Sequence, residues 1–426
     1  MEYHVEKGEG GACRLTCFFS AADVTAEWKK AAAPFASSFR MAGFRPGRAP
    51  LEVLERQFGR QIAEETTDAL VGRGVKKALS AEGLLPVTAF TYEGENALRG
   101  RDFRFSVSFG VLPDAETPDF SSLRIEGRIP AADAGQDAAA LRDMLGRMAE
   151  RVPVKEGRPQ DGDIVQADVT GRIDGRVVPG MNTGPCRMRL MPLMPGEKAP
   201  DLDPVIRSLS IGETGTGTTV CPDNYPDPSL RGRDIELTVT LRSVEREILP
   251  PLTEETARRL GFSGVEALEN AAHELALERS GARLHMEAKR ELMERLEAWE
   301  GVEAPSCLVE HCRREAMRRS RQYLQSSYES PDKLREILAL MKEEAEETAR
   351  KKAVRRMLLL GWARGEGMEV RDAELERVLA GRAAAQNMDA ASYARSLARG
   401  GDIYEMRAAM LEERALEALL ARVLRP

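Results

Sequence analysis

The stretch Gly43-Phe44-Arg45-Pro46-Gly47-Arg48-Ala49-Pro50 lies between two helical segments and has the most distinctive pattern in this chain. Before it, apolar residues from Val24 to Phe39 recur at helical intervals, and after it those from Leu51 to Leu70 do the same. The glycines and prolines between them do not continue a helix comfortably, whereas Pro50 can restart one because its missing N–H is not needed there. The sequence therefore predicts two helices joined by an exposed turn that presents an aromatic ring between two guanidinium groups.

The segment around this turn is basic although the whole chain is acidic. The 426 residues carry a formal net charge of −7, which gives the chain no bulk attraction for nucleic acid or anionic lipid. Residues 28–60 instead hold seven cations against the two acids Glu52 and Glu55, namely Lys29, Lys30, Arg40, Arg45, Arg48, Arg56 and Arg60. This pattern predicts a local contact with phosphate or carboxylate groups. The alternative is that Phe44 packs inward and the arginines only solvate the turn.

The rest of the sequence predicts a multidomain α+β protein with boundaries near residues 112, 150 and 247. Residues 1–112 combine the two helices with alternating strands at 11–19 and 103–109. Residues 113–150 form a proline-containing linker with an alanine-rich helix, expected to pack along the C-terminal domain. Residues 151–247 are rich in glycine, proline and short strands, which is typical of a small β-rich domain. The apolar positions of residues 248–426 recur at helical spacing, which predicts helix throughout.

Composition excludes several classes of protein. The longest apolar runs fall far short of the roughly 20 residues of a spanning helix, and the acidic start does not resemble a secretory signal. Six cysteines are spread too thinly over the chain for a disulfide framework, so we expect reduced thiols. These features predict a cytoplasmic protein with no membrane contact.

The quoted stretch resembles the signature loop of trigger factor, the bacterial ribosome-associated chaperone family. The likeness extends along the chain: Phe109–Pro113 is similar to the end of the family's first domain, and Asp168–Gly171 with Pro222–Tyr225 to its isomerase domain of the FKBP type. Pro305–Glu310 is similar to part of its helical C-terminal domain. The order and spacing of these motifs carry the resemblance more than any one of them.

The resemblance implies a division of labour along the chain. It implies an N-terminal ribosome-binding domain, an FKBP-like β-rich domain, and an all-helical C-terminal domain with arms that shields nascent polypeptides without ATP or another cofactor. The ribosome-binding residues carried over from the family are Gly43, Phe44, Arg45, Pro46, Gly47, Arg48 and Pro50. The implied partners are the large ribosomal subunit at the nascent-chain tunnel exit and unfolded chains, with roles in folding, export and cell division. The resemblance leaves two points open. One is whether the protein forms a homodimer when it is off the ribosome, and the other is whether the turn contacts ribosomal protein, RNA or both.

The isomerase pocket departs from the family pattern. Prolyl isomerisation has a barrier of roughly 18–20 kcal/mol, which the family lowers in a dry pocket lined by aromatic rings. The corresponding positions here hold Val169, Val178, Cys186, Leu202 and Leu237, and Tyr225 is the aromatic residue that remains. We therefore expect a retained fold with weak or lost activity. The alternative is an active peptidyl-prolyl cis-trans isomerase with accessory chaperone domains, so the enzymatic status stays open.

Other candidate sites receive little support from the sequence. Cys307, His311 and Cys312 could supply half of a zinc site, but the two further ligands have no matching pair nearby. Gly212–Gly217 has the wrong spacing for a phosphate-binding loop and is predicted to be a turn between strands. We therefore expect neither a metal nor a cofactor.

Overall fold

The computed structural model of the chain describes residues 1–38, 50–112, 118–192, 197–328, 330–397 and 399–425. These residues form two compact units, each assembled from segments that are distant in sequence. Unit 1 comprises Met1–Ile125, Lys289–Arg314 and Thr348–Arg425, and unit 2 comprises Glu126–Ala288 and Glu315–Glu347. The predicted domain boundaries at 112, 150 and 247 stay a prediction.

The N-terminal part of unit 1 is an antiparallel sheet covered by a helical hairpin. Its elements are β1 (Glu2–Lys7), β2 (Ala12–Phe19), α1 (Ala21–Ser38), α2 (Leu51–Glu82), β3 (Thr91–Glu93) and β4 (Phe103–Gly110), with sheet order β1-β2-β4-β3. The alternating strand pattern places Leu15, Phe19 and Phe105 on the buried face, where Leu70 and Val75 of α2 pack against them. The two strands predicted from alternation are confirmed.

The C-terminal part of unit 1 is helical, with one exception at its end. It includes the end of α6 (Val265–Glu297), the start of α7 (Ser306–Gln325), most of α9 (Lys342–Gly365), and then α10 (Asp372–Ala385), α11 (Ala390–Ser396) and α12 (Asp402–Val423). The exception is β11 (Leu424–Arg425), which pairs with β5 (Ile125–Glu126). The prediction of helix to the end of the chain is wrong here, because the two residues after α12 pair with a strand that is distant in sequence.

The N-terminal sheet region and α12 meet at Phe90. Its ring centroid lies 5.1 Å from that of Phe109 and 5.3 Å from that of Tyr404. Gly401, at the start of α12, has φ 65°, and a Cβ there would lie 2.3–2.6 Å from carbons of the Phe90 ring. Only glycine therefore fits this junction without a shift of backbone or ring.

We expect Gly401→Ala to destabilise unit 1 by about 3 kcal/mol, because a left-handed backbone and a steric overlap both penalise the methyl group. Gly367→Ala is the matched control, since Gly367 has φ 67° but nothing within 4 Å of its Cβ position, and it should cost only about 1 kcal/mol. All three tryptophans lie in unit 1, so their fluorescence during urea denaturation reports on this unit. Equal losses for the two variants would contradict the packing described.

The β-rich part of unit 2 is a five-stranded antiparallel sheet. Its elements are β6 (Glu150–Val154), β7 (Ile164–Ile173), β8 (Arg176–Arg189), α4 (Asp203–Ser208), β9 (Thr214–Val220) and β10 (Asp234–Ile248), with order β6-β10-β7-β8 and β9 paired to β10. The prediction of a turn over Gly212–Gly217 is wrong beyond residue 213. Gly215 and Gly217 lie within β9, and Cβ atoms there would fall 2.4 Å from Leu209 and 2.6 Å from Val205, so the glycines let α4 pack directly on the strand.

The helical part of unit 2 contains most of the long helix α6. It also includes α3 (Ala134–Gly146), α5 (Glu254–Arg259), the end of α7 and α8 (Pro331–Leu340). Met144 of α3 packs in one apolar cluster with Ala257 of α5 and Leu268 of α6. The predicted fold class, a multidomain mixture of sheet and helix with a helical C-terminal region, is confirmed.

Candidate functional site

The predicted ribosome-binding turn falls mainly outside the described part of the chain. Gly43, Phe44, Arg45, Pro46, Gly47 and Arg48 are among residues 39–49, of which the structure describes nothing. Pro50 is described: it is exposed, caps the start of α2, and its carbonyl accepts hydrogen bonds from the N–H groups of Val53 (3.0 Å) and Leu54 (3.2 Å). The predicted restart of the helix after Pro50 is confirmed.

The two helices that flank this turn pack closely on each other. Trp28 of α1 is buried against Leu54 and Ile62 of α2, and the rings of Phe35 and Phe58 lie 5.4 Å apart. Buried aromatic and aliphatic contacts of this kind hold a hairpin in one geometry. The helical hairpin is therefore a packed base for the residues that join its two helices.

A basic residue missed by the sequence analysis changes the charge of this base. Arg99 contacts Glu55 at 2.7 Å and Glu52 at 3.5 Å, and its guanidinium lies 5.4 Å from the Trp28 ring. The hydrogen bond to Glu55 raises the pKa of Arg99. Both acids that oppose the seven cations of residues 28–60 are thus paired with Arg99, which lies 44 residues beyond Glu55 and gave no local signal. The local excess of positive charge is therefore confined to residues 28–60.

The structure brings the predicted isomerase pocket positions together in one apolar cluster of unit 2. Its members from that set are Val169 of β7, Val178 and Cys186 of β8, Leu202 before α4, Tyr225 after β9, and Leu237 of β10. Val169, Val178 and Leu237 expose only 3%, 2% and 1% of their surface. These three residues are core residues, and a substrate could touch them only after repacking.

Neighbouring side chains fill the space beside these residues. A Cβ at Gly171 would lie 3.0 Å from the Cε and 3.1 Å from the Sδ of Met181. Cys186 turns its Sγ toward the carbonyl oxygen of Ala167, at 3.1 Å. Methionine is flexible enough to fill an irregular gap, so this interior packs like an ordinary small core.

Tyr225 lies at the edge of this cluster and is half-buried. Its N–H donates to the carbonyl of Pro222 at 3.0 Å, and its own carbonyl accepts from the Nε of Arg231 at 2.7 Å. Burial raises the pKa of its phenol, which therefore stays protonated near neutral pH. Tyr225 could orient a polar group, but the other pocket positions hold valine, leucine or cysteine.

Asp227, two residues after Tyr225, was missed by the sequence analysis. Its side chain is buried, and its Oδ1 accepts hydrogen bonds from the N–H (2.9 Å) and the Oγ (2.7 Å) of Ser229. Its Oδ2 accepts a hydrogen bond from the phenol of Tyr328, which lies 101 residues later. A single buried carboxylate in a loop carries no recognisable pattern, so only the fold reveals this contact.

The zinc candidate does not assemble. Cys307 donates a hydrogen bond to the carbonyl oxygen of Gly10 at 3.1 Å, and the Nε2 of His311 lies 3.1 Å from the Oε1 of Glu405. Among the residues described, no group of three suitably placed ligand atoms includes Cys307 or Cys312.

The structure also places no helix long and apolar enough for a bilayer span within the ranges it describes.

Comparisons with known proteins agree along the length of the chain. Residues 1–139 match the family model described as bacterial trigger factor protein (TF), and residues 264–421 match that of the bacterial trigger factor protein (TF) C-terminus. Together these matches cover more than half of the chain, and residues 140–263 lie outside both.

Individual relatives extend the similarity through the middle of the chain. The chain is 25% identical to the trigger factor of Nitratidesulfovibrio vulgaris strain Hildenborough over 99% of this chain and 97% of that protein. It is 27% identical to the trigger factor of Geobacter sp. strain M21 over 89% and 87% of the two chains. A solved structure titled for promiscuous substrate recognition by the trigger factor chaperone shares 21% identity over 99% of this chain and 100% of its own, with a TM-score of 0.35. This chain belongs to the bacterial trigger factor family of chaperones.

Proposed function

We propose that this chain is a nucleotide-independent chaperone that docks on the large ribosomal subunit near the nascent-chain exit and shields apolar segments of emerging polypeptides. Family membership at both ends of the chain is the observation that carries this proposal. The turn at Gly43–Pro50 supplies the docking contact, and the excess of cations over residues 28–60 supports an anionic partner. We assign the protein to the cytoplasm, where such ribosomes are found.

The proposed client surface lies on the helical part of unit 2. Ile129, Met286 and Leu340 expose 83%, 71% and 61% of their surface, and each lies in or beside a helical segment of that unit. Isolated apolar side chains are common on protein surfaces, but they are also the groups that an unfolded chain can cover. Methionine adapts to many partner shapes, which suits clients of varied sequence.

We expect the triple variant Ile129→Ser, Met286→Ser, Leu340→Ser to suppress aggregation of a refolding client several-fold less well than the native chain. The three side chains are exposed, so the loss of stability should stay within about 0.5 kcal/mol per site. The matched control is Met191→Ser with Val220→Ser, two exposed apolar residues of the β-rich part of unit 2. Light scattering during dilution of a denatured client measures the effect. If the triple variant suppressed client aggregation as well as the native chain does, these three residues would not be part of the client surface.

We infer that prolyl isomerase activity is weak or lost. The support is that three of the pocket positions, Val169, Val178 and Leu237, are fully buried aliphatic residues, so these three offer proline neither a flat ring face nor an open floor. The alternative function, an active isomerase with accessory domains, would require these three residues to repack so that a substrate could reach them.

A further inference from the structure

A buried histidine of α7 lies against a glutamate that is distant in sequence. His311 is only 4% exposed, and its Nε2 lies 3.1 Å from the Oε1 of Glu405 in the first turn of α12. The two atoms are close enough for a hydrogen bond but are not aligned for one, and the buried Nε2 has no other hydrogen-bond partner among the residues described. Buried polar atoms of folded proteins nearly always have a partner, so this nitrogen requires an explanation.

A second carboxylate lies close to the same nitrogen. Glu315 follows His311 by one turn of α7 and therefore shares its helix face. One ligand atom from each of His311, Glu315 and Glu405 lies within 4.8 Å of the other two. The side chains of Glu315 and Glu405 expose 26% and 19% of their surface, so a small ion can reach the group from solvent.

The ligand types and their separations suit a first-row divalent metal ion. Tetrahedral Zn²⁺ has bonds of about 2.0–2.2 Å, which places neighbouring ligand atoms about 3.3 Å apart, close to the 3.1 Å between His311 and Glu405. Imidazole nitrogen is a good ligand for zinc, whereas Mg²⁺ and Ca²⁺ prefer oxygen. One nitrogen and two carboxylate oxygens also make three protein ligands, the number found in zinc sites that keep a fourth position for water.

We propose that the Nε2 of His311 and the carboxylates of Glu315 and Glu405 bind one first-row divalent cation, with Zn²⁺ as the best fit and water as the fourth ligand. The bound ion gives the buried nitrogen its partner and balances the negative charge of the two carboxylates. The sequence indicated cysteines as the companions of His311, because Cys307 and Cys312 are its neighbours along the chain. The carboxylate of Glu405 reaches the imidazole only through the fold.

The ion has a structural consequence within unit 1. Through His311 and Glu405 it fastens α7 to the first turn of α12, where the ring of the adjacent Tyr404 stacks on Phe90 with centroids 5.3 Å apart. A ligand that binds the folded state stabilises it by mass action. Zn²⁺ should therefore raise the resistance of unit 1 to urea.

Isothermal titration calorimetry of the full chain, first freed of metal with a chelator, measures Zn²⁺ binding. We expect one tight equivalent for the native chain. Glu315→Gln and Glu405→Gln should each weaken it at least about tenfold, since even the outer partners of a metal site contribute roughly 10–100-fold to affinity. Glutamine keeps the size of glutamate, and Glu315 is partly exposed, so Glu315→Gln should keep the native fold. Mg²⁺ in large excess should not compete.

Two other histidines provide matched controls. The Nε2 of His4 lies 3.8 Å from Glu6, but both side chains are exposed. The Nδ1 of His273 lies 3.0 Å from Asp137 and is engaged in a hydrogen bond. His4→Ala and His273→Ala should therefore bind Zn²⁺ as tightly as the native chain does.

The cysteines require a separate control because thiolates are strong zinc ligands. Cys307→Ser with Cys312→Ala removes the two thiols nearest to His311 along the chain, and the tight equivalent should remain. Loss of the tight equivalent in this variant would overturn the proposed ligand set.

The urea midpoint of unit 1 gives a second readout, since all three tryptophans lie in that unit. Zn²⁺ should raise the midpoint of the native chain and of the histidine controls, and should raise it much less for Glu315→Gln and Glu405→Gln. Equal Zn²⁺ affinity of the native chain and both glutamine variants would overturn the proposal and leave an ordinary histidine–glutamate ion pair. Absence of Zn²⁺ binding to the native chain would also overturn it.

Discussion

The full chain should accelerate prolyl isomerisation at least about a hundredfold less than a family member whose pocket keeps its aromatic residues, because the interactions that favour the twisted amide are absent. A refolding reaction limited by a proline offers ample range for this measurement, since the uncatalysed step takes tens to hundreds of seconds. A rate comparable to that of the aromatic relative would contradict the account of the pocket.

The low isomerase activity has two physical causes. The pocket positions offer proline less contact area than aromatic rings would, and they leave it less space to bind. An aromatic ring offers roughly 150–250 Å² of surface, and the pocket positions outside Tyr225 hold valine, leucine or cysteine. Val169, Val178 and Leu237 are also fully buried, so the aliphatic side chains do not line an open cleft. Tyr225 alone could orient a carbonyl, but orientation without a ring-gripping wall gives little preference for the transition state.

Restoring the rings should therefore fail to restore activity. Val169→Phe with Val178→Phe would force two large side chains into a filled core, and we expect the β-rich part of unit 2 to lose about 1–3 kcal/mol per site instead of gaining an active pocket. Val177→Phe is the matched control because Val177 is the exposed neighbour on the same strand. Recovery of isomerase activity in the double variant with unchanged stability would show that the pocket is latent rather than filled.

The local patterns predicted much of the secondary structure. Strands with one buried face, such as β2 and β4, show the alternation that a sheet imposes, and α2 begins directly after Pro50 as the missing N–H predicts. β9 was missed because its inward positions are Gly215 and Gly217, which carry no apolar signal. The packing of α4 on these glycines explains the strand and required the fold.

Local sequence patterns do not predict the contacts between distant residues that define the sites. Arg99 meets Glu55 across 44 residues, and Tyr328 meets Asp227 across 101 residues. In both cases the partners are ordinary residues of a charged or loop segment, so spacing along the chain gives no hint of the pair. The pocket positions were found only by resemblance to the family, and their burial became visible only in the structure.

The variant Phe44→Ala, Arg45→Ala, Arg48→Ala should lose binding to the ribosome. The sequence predicts that these side chains present a ring and two guanidinium groups to an anionic partner, and removing all three leaves neither apolar nor ionic contact. Arg60→Ala is the control, since Arg60 belongs to the basic segment but is exposed and pairs with Glu64 at 3.0 Å. The control should bind nearly as the native chain does, and raised salt should weaken the native contact.

Co-sedimentation with purified ribosomes measures the proposed docking contact directly. We expect the native chain and Arg60→Ala to pellet with ribosomes at low salt, while the triple variant remains in the supernatant with an unchanged circular dichroism spectrum. Native-like pelleting of the triple variant would contradict the assignment of the docking contact to Gly43–Pro50, and absence of the native chain from the pellet would contradict ribosome association altogether.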